Sequence, residues 1–422
     1  MRRPAKGRRG QPIRGIKDSM SAINRRDFGG IALVLRAQAK NLMGATGLDQ
    51  TFRAARDRRK IPMAVAMAAT ADKTIFTGAY GKRDFSSAVD VTAGSIFRIA
   101  SMTKAVTSVA AMQLVEQGTV TLDEPVSKHL PQLGELKVLQ GFDKNTGKPI
   151  LRPASKPVTL RHLLTHTAGF AYDNWDGNLL KYMEQAAGAA GPITPLMFEP
   201  GTRWEYGTSV DWAGRLVEKV TGQTLEAYFQ RHILEPLGMR DTGFILPAEK
   251  FDRLVGSYQR QSDGSLKETL RTQPAPPASF NGGGGLYSTA EDYVRFMQMI
   301  LRRGRGSDKQ QILQAQTVDL MASNQIGELR AGILKSVKPE RSSDLDLHPG
   351  FIDKFGLGFL INTTAYKDGR SAGSLAWAGL MNTYFWIDPR RGVCGVVLMQ
   401  FLPFADTEAI GLVGDFERAV YA

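Results

Sequence analysis

Apolar positions predict strands near both ends of the chain and helices between them. Residues 62–69 form a continuous apolar run, and residues 74–81 form a second β segment after a polar turn, which predicts a hairpin. Later strands are predicted at residues 358–363, 374–378, 382–387 and 393–400, before a terminal helix at residues 405–421. Because the two groups of strands must share a core, we expect an α/β (α+β) fold with an antiparallel β-sheet flanked by helices.

The middle of the chain predicts an inserted, mostly helical domain. Helices are predicted at residues 101–117, 159–165, 209–221, 225–234 and 290–301, and a hairpin at residues 254–259 and 265–269. These patterns assign residues 47–120 and 271–422 to the sheet domain and residues 121–270 to the insertion. We expect a small-molecule site in the crevice between the two.

The positive charge of the chain is concentrated at its N-terminus. Residues 1–60 contain 16 Lys/Arg and 4 Asp/Glu, whereas the other 362 residues contain 38 and 37, so most of the formal charge of +13 lies in the first part. A nucleic-acid-binding domain would carry its basic patch on the folded body. We therefore interpret residues 1–46 as a flexible basic leader and expect no nucleic-acid partner.

Other features bear on localisation. The segment Asn24-Arg25-Arg26-Asp27 resembles a twin-arginine export signal, but its apolar run stops at Arg36 and no clear cleavage site follows. The single cysteine, Cys394, lies in an apolar run and cannot form an internal disulfide. No apolar stretch is long enough to span a bilayer. We expect a cytoplasmic protein without a membrane partner, with export as the less favoured alternative.

Ser101 and Lys104 place a hydroxyl and an amino group one turn apart at a predicted helix start, where serine is a favoured residue. The neighbouring residues are apolar and small, so this lysine is expected to be buried, which is unusual. A serine nucleophile needs a nearby base and a site for the oxyanion, and a helix start offers free N–H groups. These residues predict a nucleophile whose base is still to be placed.

Three other motifs are weaker candidates. Residues 369–373 match the G-x-S-x-G pattern around Ser371, but they lie between predicted strands rather than between a strand and a helix. His162 and His166 have zinc-protease spacing without its glutamate, so we expect structural histidines and no metal site. The glycine run at residues 282–285 lacks the ending of a phosphate loop and predicts close backbone packing.

Several motifs in order resemble the serine β-lactamase and penicillin-binding-protein-like superfamily, and within it the class C branch and family VIII carboxylesterases. Ser101-Met102-Thr103-Lys104 matches the S-x-x-K motif, Pro200-Gly201 followed by Tyr206 matches the second motif, and Trp377-Ala378-Gly379 lies where the third belongs. Residues 163–169, 284–292 and 355–359 are also similar to family segments. The resemblance covers about residues 47–420 and implies a β-lactamase/transpeptidase-like fold.

The resemblance implies a role for each motif residue. Ser101 would accept the acyl group, and Lys104 and Tyr206 would share general acid/base catalysis. The backbone N–H groups of Ser101 and Leu380 would form the oxyanion hole. The reaction would pass through an acyl-enzyme that water attacks, without a metal or cofactor.

Two departures from the family pattern change the expected substrate. The second motif reads Tyr206-Gly207-Thr208, which places a hydroxyl where β-lactamases have an amide, and Trp377 replaces the lysine of the third motif. An indole cannot neutralise a substrate carboxylate but can pack an apolar group. Thr208, Trp377 and Gly379 would therefore bind a small, short-acyl ester. We predict a serine carboxylesterase, and weak β-lactam hydrolysis is left open.

The sequence leaves alternative functions open. The same residues would serve a β-lactamase, an amidase or an acyltransferase. A catalytically silent relative acting as a binding or scaffold protein is the alternative of another class, although the intact Ser101, Lys104 and Tyr206 disfavour it. The expected partner is a small-molecule ester, and homo-oligomerisation is left open.

Overall fold

A computed structural model describes residues 45–186, 193–269 and 271–422. The helices in these ranges are α1 (Ala45–Arg58), α2 (Thr103–Glu116), α3 (Leu160–Leu164), α4 (Gly177–Gln185), α5 (Ser209–Thr221), α6 (Leu225–Phe229), α7 (Ala290–Leu301), α8 (Ala315–Met321) and α9 (Thr407–Tyr421). Shorter 3-10 turns lie at Ala100–Met102, Val126–Lys128, Pro131–Leu133 and Ala248–Arg253, and Gln230–Leu234 is a π-helical turn. The export-like segment and nearly all of the predicted leader lie outside the described residues.

The strands form one large sheet and several small ones. They are β1 (Ala64–Thr70), β2 (Thr74–Tyr80), β3 (Phe97–Arg98), β4 (Lys137–Phe142), β5 (Pro149–Pro153), β6 (Ser257–Arg260), β7 (Leu266–Thr269), β8 (Tyr287–Ser288), β9 (Ile333–Leu334), β10 (Leu345–Asp346), β11 (Lys354–Phe355), β12 (Leu360–Ile361), β13 (Leu375–Gly379), β14 (Thr383–Asp388), β15 (Val393–Leu398) and β16 (Phe401–Leu402). The large sheet has the order β11-β12-β13-β14-β15-β1-β2.

This large sheet is antiparallel throughout and joins the two ends of the chain, as predicted. Val65 of β1 pairs with Leu398 of β15, so an early strand completes a sheet built from late ones. Helices cover both faces: on β14, Trp386 packs against Phe416 of α9, whereas the adjacent Phe385 packs against Tyr293 of α7. Since adjacent side chains point to opposite faces, every residue of β14 is buried. The predicted α/β fold with a helix-flanked antiparallel sheet is therefore confirmed.

The segment predicted as a helical insertion also contains β structure. Helices α3 to α6 lie within it, but so does the hairpin β4–β5, which the apolar pattern did not predict because its strands are only partly buried and show no clear apolar alternation. Helix α4 was also missed; Asp176 caps it by accepting the N–H of Leu179 at 2.8 Å. The division into a sheet domain and an inserted domain stays a prediction.

The helix predicted to begin at Ser101 begins two residues later. Ser101 lies in the 3-10 turn Ala100–Met102, and no side chain caps the start of α2 at Met102. The prediction that Ser101 occupies a favoured capping position is therefore wrong. Ala100 has φ +44°, a left-handed conformation that a side chain disfavours. The hydroxyl of Thr103 holds this turn, since it donates to the Ala100 carbonyl at 2.6 Å and accepts the N–H of Leu286 at 3.3 Å.

The loop that carries Ser371 is fixed by a buried ion pair. The guanidinium of Arg370 donates to both carboxylate oxygens of Glu417 in α9, at 2.9 and 2.6 Å, and both side chains are buried. The N–H of Ser371 donates to Asp388 at 2.8 Å. Strand β13, rather than a helix, follows this loop, so Ser371 does not stand on the strand-to-helix turn of a nucleophilic serine.

Within the described ranges, no helix combines the length and apolar character needed to cross a membrane.

We expect Glu417→Gln to lower the free energy of unfolding by about 3–5 kcal/mol, because it leaves the buried guanidinium of Arg370 without its counter-charge. Urea unfolding followed by circular dichroism measures the change. Glu408→Gln is the matched control, since Glu408 lies on the same helix, is 46% exposed and pairs with Arg59 at 3.1 Å. This control should cost less than about 1 kcal/mol. Equal losses in the two variants would contradict the assignment.

Candidate active site

Ser101 lies where two cavities of different character meet. One is an open cavity of about 570 Å³, which Ser101 lines together with Tyr172, Trp175, the glycine run and Leu380. The other is a narrow apolar slot of about 20 Å³ behind the serine. A group bonded to Ser101 therefore borders both a large open space and a small apolar one.

Lys104 is buried beside Ser101, with 1% of its surface exposed. Its Nζ lies 2.7 Å from the carbonyl oxygen of Gly283, 3.1 Å from the hydroxyl of Tyr172 and 3.3 Å from Oγ of Ser101. Three acceptors match the three N–H groups of an ammonium. A neutral amine would keep two of these bonds and accept the proton of Ser101 with its lone pair. The geometry therefore lets Lys104 exchange a proton with the serine hydroxyl.

The glycine run holds this lysine in place through close backbone packing. A side chain at Gly283 would bring a Cβ within 2.3 Å of Oδ2 of Asp211 and would displace that carboxylate. The N–H of Gly283 donates to Oδ1 of Asp211 at 3.1 Å, and the carbonyl of Gly282 accepts from Thr107 of α2 at 2.7 Å. The run thus connects α2 to α5, which agrees with the close packing predicted from the sequence.

The hydroxyl that bonds Lys104 belongs to Tyr172, which the sequence analysis did not single out. The same hydroxyl donates to Oδ2 of Asp211 at 3.5 Å. Burial raises the pKa of Tyr172 well above its ordinary range, and Asp211 and then Tyr206 add to this effect. Burial also raises the pKa of Asp211, while Lys104 opposes that rise. Tyr172 is therefore a neutral phenol that links the lysine to a buried carboxyl group.

Tyr206 contacts Lys104 through its ring rather than its hydroxyl. Nζ of Lys104 lies 4.8 Å from the centroid of the Tyr206 ring, and the Tyr206 hydroxyl accepts the indole N–H of Trp377 at 3.4 Å. Across the described ranges, no hydrogen bond joins Tyr206 to Lys104 or Ser101. Tyr206 therefore packs beside Lys104 and Trp377, and its share in acid/base catalysis stays a prediction.

His166 packs against the same aromatic cluster. Its ring lies 4.9 Å from that of Tyr206 and stacks at 6.3 Å on Trp377. Burial, followed by the charge of Lys104, lowers the pKa of His166 well below its ordinary value. It is therefore a neutral packing group. His162 has a structural place too, because it completes a capping box with Thr159 at the start of α3.

The end of β13 brings Gly379 and Leu380 against the turn that carries Ser101. A Cβ at Gly379 would lie 2.3 Å from the carbonyl oxygen of Ile99, so a side chain there would push the strand away from the turn. Leu380 lines both the open cavity and the slot beside Ser101. This placement agrees with the predicted oxyanion hole at the N–H groups of Ser101 and Leu380, whose role stays a prediction.

The slot and the open cavity have different walls. The slot is lined by large apolar groups from several elements: Trp175, Leu334, Leu345, Leu347, Trp377 and Phe404. The rim of the open cavity is charged, with Lys338 paired to Asp173 at 2.5 Å. Thr208 lines neither space. It lies on a neighbouring cavity of about 680 Å³ that shares Tyr172 with the open one.

Comparison with known proteins agrees with this geometry. Residues 48–415 match the family described as Beta-lactamase. The monacolin J acid methylbutanoyltransferase of Aspergillus terreus (strain NIH 2624 / FGSC A1156) is 32% identical over 406 residues, covering 89% of this chain and 95% of that protein. The lovastatin esterase of Penicillium rubens is 31% identical, covering 89% of this chain and 98% of that protein.

A solved structure extends the likeness to the fold. The unliganded simvastatin synthase (LovD) from Aspergillus terreus superposes with a TM-score of 0.76 at 31% identity, covering 90% of this chain and 98% of that one. The narrower assignment to family VIII carboxylesterases is not confirmed, because these relatives carry acyltransferase as well as esterase names. The match over most of the chain, together with the buried Ser101–Lys104 pair, shows that the chain belongs to the β-lactamase/transpeptidase-like serine hydrolase superfamily and is a serine hydrolase-like enzyme.

Proposed function

We propose that this enzyme is an acyltransferase that takes a short acyl group onto Ser101 and passes it to the hydroxyl of a larger alcohol. The observation that carries the proposal is the position of Ser101 between a small apolar slot and a large open cavity. The ester that the proposed reaction uses has a small apolar acyl group and a larger alcohol group, and the two spaces differ in size and polarity in the same way. The slot fits the acyl chain, and the open cavity fits the alcohol that leaves or attacks.

The chemistry follows from the contacts of Lys104. Oγ of Ser101 attacks the ester carbonyl while its proton moves to Nζ of Lys104, 3.3 Å away. The tetrahedral intermediate collapses, and the departing alcohol takes that proton. An acceptor alcohol then attacks the acyl-enzyme and gives its own proton to Nζ. The bond between the acyl group and Oγ of Ser101 breaks, and Nζ returns the proton to Oγ, so that the new ester leaves and the free serine is restored. Gly283 and Tyr172 hold the amine in place throughout.

The relatives support acyl transfer more than hydrolysis alone. Three of them are named for methylbutanoyl transfer, and two further ones are named acyltransferases. Hydrolysis to the free acid is the second candidate, because the open cavity admits water to the acyl-enzyme and one relative is named a lovastatin esterase. The carboxylesterase predicted from the sequence is therefore the competing outcome of the same acyl-enzyme.

Trp377 argues against a β-lactamase. Trp377 is 7% exposed, and its indole N–H donates to the hydroxyl of Tyr206. It offers no positive charge to the carboxylate of a β-lactam. A silent scaffold role is disfavoured too, since such a protein would have no use for a buried lysine that contacts a serine hydroxyl.

Replacing Ser101 by alanine should abolish turnover. We expect Ser101→Ala to lower the rate of p-nitrophenyl butyrate cleavage by about 10³-fold or more, because the acyl-enzyme cannot form. Ser371→Ala is the control and should stay within about twofold, since Ser371 lies outside both cavities. Absorbance at the nitrophenolate band measures both. Loss of activity in Ser371→Ala with retention in Ser101→Ala would refute the assignment.

The fate of the acyl group separates transfer from hydrolysis. With p-nitrophenyl butyrate as donor and a panel of cyclic secondary alcohols as acceptors, we expect a new butyrate ester to exceed free butyrate for at least one bulky alcohol. Mass spectrometry of the products measures the ratio, with Ser101→Ala as the blank. Free butyrate alone across the panel would reject the transferase and leave the esterase.

The slot should set the acyl-chain length. At about 20 Å³ it holds about one water-sized group, which favours acetyl over longer chains. We expect Leu347→Ala to raise the rate ratio of p-nitrophenyl hexanoate to acetate by about tenfold, because each added methylene is worth about 1–3 kcal/mol where it fits. Leu320→Ala, an exposed leucine on α8, is the control. An unchanged ratio in Leu347→Ala would show that the acyl chain lies elsewhere.

A further inference from the structure

A closed ring of hydrogen bonds joins Lys104 to a buried carboxylate. Lys104 donates to the Tyr172 hydroxyl at 3.1 Å, and that hydroxyl donates to Oδ2 of Asp211 at 3.5 Å. Oδ1 of Asp211 accepts the N–H of Gly283 at 3.1 Å, and the carbonyl of Gly283 accepts from Lys104 at 2.7 Å. Both Asp211 oxygens thus accept hydrogen bonds, which is the pattern that an ionised carboxylate satisfies.

Lys104 needs a counter-charge because it is buried. No carboxylate lies within ion-pair distance of its Nζ among the residues that the structure describes. An isolated ammonium at 1% exposure is costly. Asp211, one hydroxyl away, supplies the negative charge that this ring connects to Lys104. Asp211 lies in the first turn of α5 and is not among the motif residues predicted from the sequence.

We propose that Asp211 is a positioning residue that acts through the hydroxyl of Tyr172, holding the amino group of Lys104 against Ser101 and balancing its charge. The proposal rests on the proposed function in one respect, namely that Ser101 is the residue acylated. It assigns to Asp211 the control of the pH range in which that acylation occurs.

The charged and titratable groups around the ring of hydrogen bonds determine in which direction the pH profile of acylation should move. Lys104 faces the ring of Tyr206, the neutral His166 and the hydroxyls of Ser101 and Tyr172. The positive charge of Arg215 also acts on Asp211 and opposes the rise of its pKa. Arg215 stacks on Trp212, 4.5 Å from the ring centroid. The pair Asp173–Lys338 lies on the cavity side of Tyr172 and is neutral overall.

Asp211→Asn removes the negative charge without changing the shape of the side chain. The ammonium form of Lys104 then loses its nearest counter-charge, so the amine that accepts the serine proton forms at lower pH. We expect the acid limb of the pH profile for Ser101 acylation to move down by about one pH unit. The plateau rate should fall about tenfold, because the asparagine no longer holds Tyr172 and Gly283 equally well.

The experiment measures the rate at which a fluorophosphonate probe labels the full-length protein as a function of pH. Intact mass and peptide mapping place the adduct on Ser101. Asp292→Asn is the control, since Asp292 is another buried carboxylate in the first turn of a helix. Its partners are the N–H of Asp241, the hydroxyl of Thr242 and the guanidinium of Arg295 at 2.6 Å, and none of them belongs to the ring around Lys104. Its acid limb should coincide with that of the unmodified protein.

The Tyr172→Phe variant tests the bridging hydroxyl of Tyr172 separately from the negative charge of Asp211. It removes the hydroxyl but keeps the carboxylate, so the plateau rate should fall while the acid limb moves less than in Asp211→Asn. Thermal unfolding confirms that each variant is folded at the temperature of the assay. A variant of Asp211 that does not fold leaves Tyr172→Phe as the deciding one, and an unchanged plateau rate in it overturns the proposal.

Two failures are distinguishable. If the unmodified protein is not labelled at Ser101, the proposed function fails. If it is labelled but Asp211→Asn keeps the acid limb in place, or Asp292→Asn moves the limb equally, the role of Asp211 is overturned while Ser101 remains the nucleophile.

Discussion

The site depends on one constraint, the burial of the amino group of Lys104. An amino group that is 1% exposed must find hydrogen-bond acceptors inside the protein. Its acceptors are 3, 68 and 179 residues away along the chain, at Ser101, Tyr172 and Gly283. Three separate segments are therefore fixed around one nitrogen atom. Two of these segments have features of their own, a left-handed residue at Ala100 and a glycine packed against Asp211 at Gly283.

The space around Ser101 is shaped by an apolar residue, Trp377, at a position where the family resemblance implies a lysine. Trp377 stands where β-lactamases place a lysine, and it forms part of the wall of the slot. Its indole N–H holds the hydroxyl of Tyr206, and its ring stacks near His166, so it is part of a packed aromatic cluster. Trp377 thus contributes an apolar wall and no positive charge at this position. That difference supports the proposed use of plain esters as acyl donors.

The order of the motifs made much of this site predictable. Ser101 and Lys104 meet because they lie one helical turn apart, and that spacing is visible in the sequence. Leu380 lines the same cavity as Ser101, and Gly379 packs against the preceding Ile99, while the oxyanion hole predicted there stays a prediction. Thr208 was expected at the substrate but lines the neighbouring cavity. The partly buried hairpin β4–β5 was missed because a weak apolar alternation carries little information.

By itself, the sequence determined the antiparallel sheet that unites both ends of the chain, because runs of buried apolar residues can be satisfied only by pairing with one another. It also determined the Ser101–Lys104 pair, because helical spacing is local. Only the tertiary structure decided which phenol bonds Lys104 and which carboxylate stands behind it. Tyr206 matched a motif, yet Tyr172 donates its hydroxyl to Asp211 and accepts from Lys104. Such contacts depend on how distant segments pack, and periodicity along the chain contains no record of that packing.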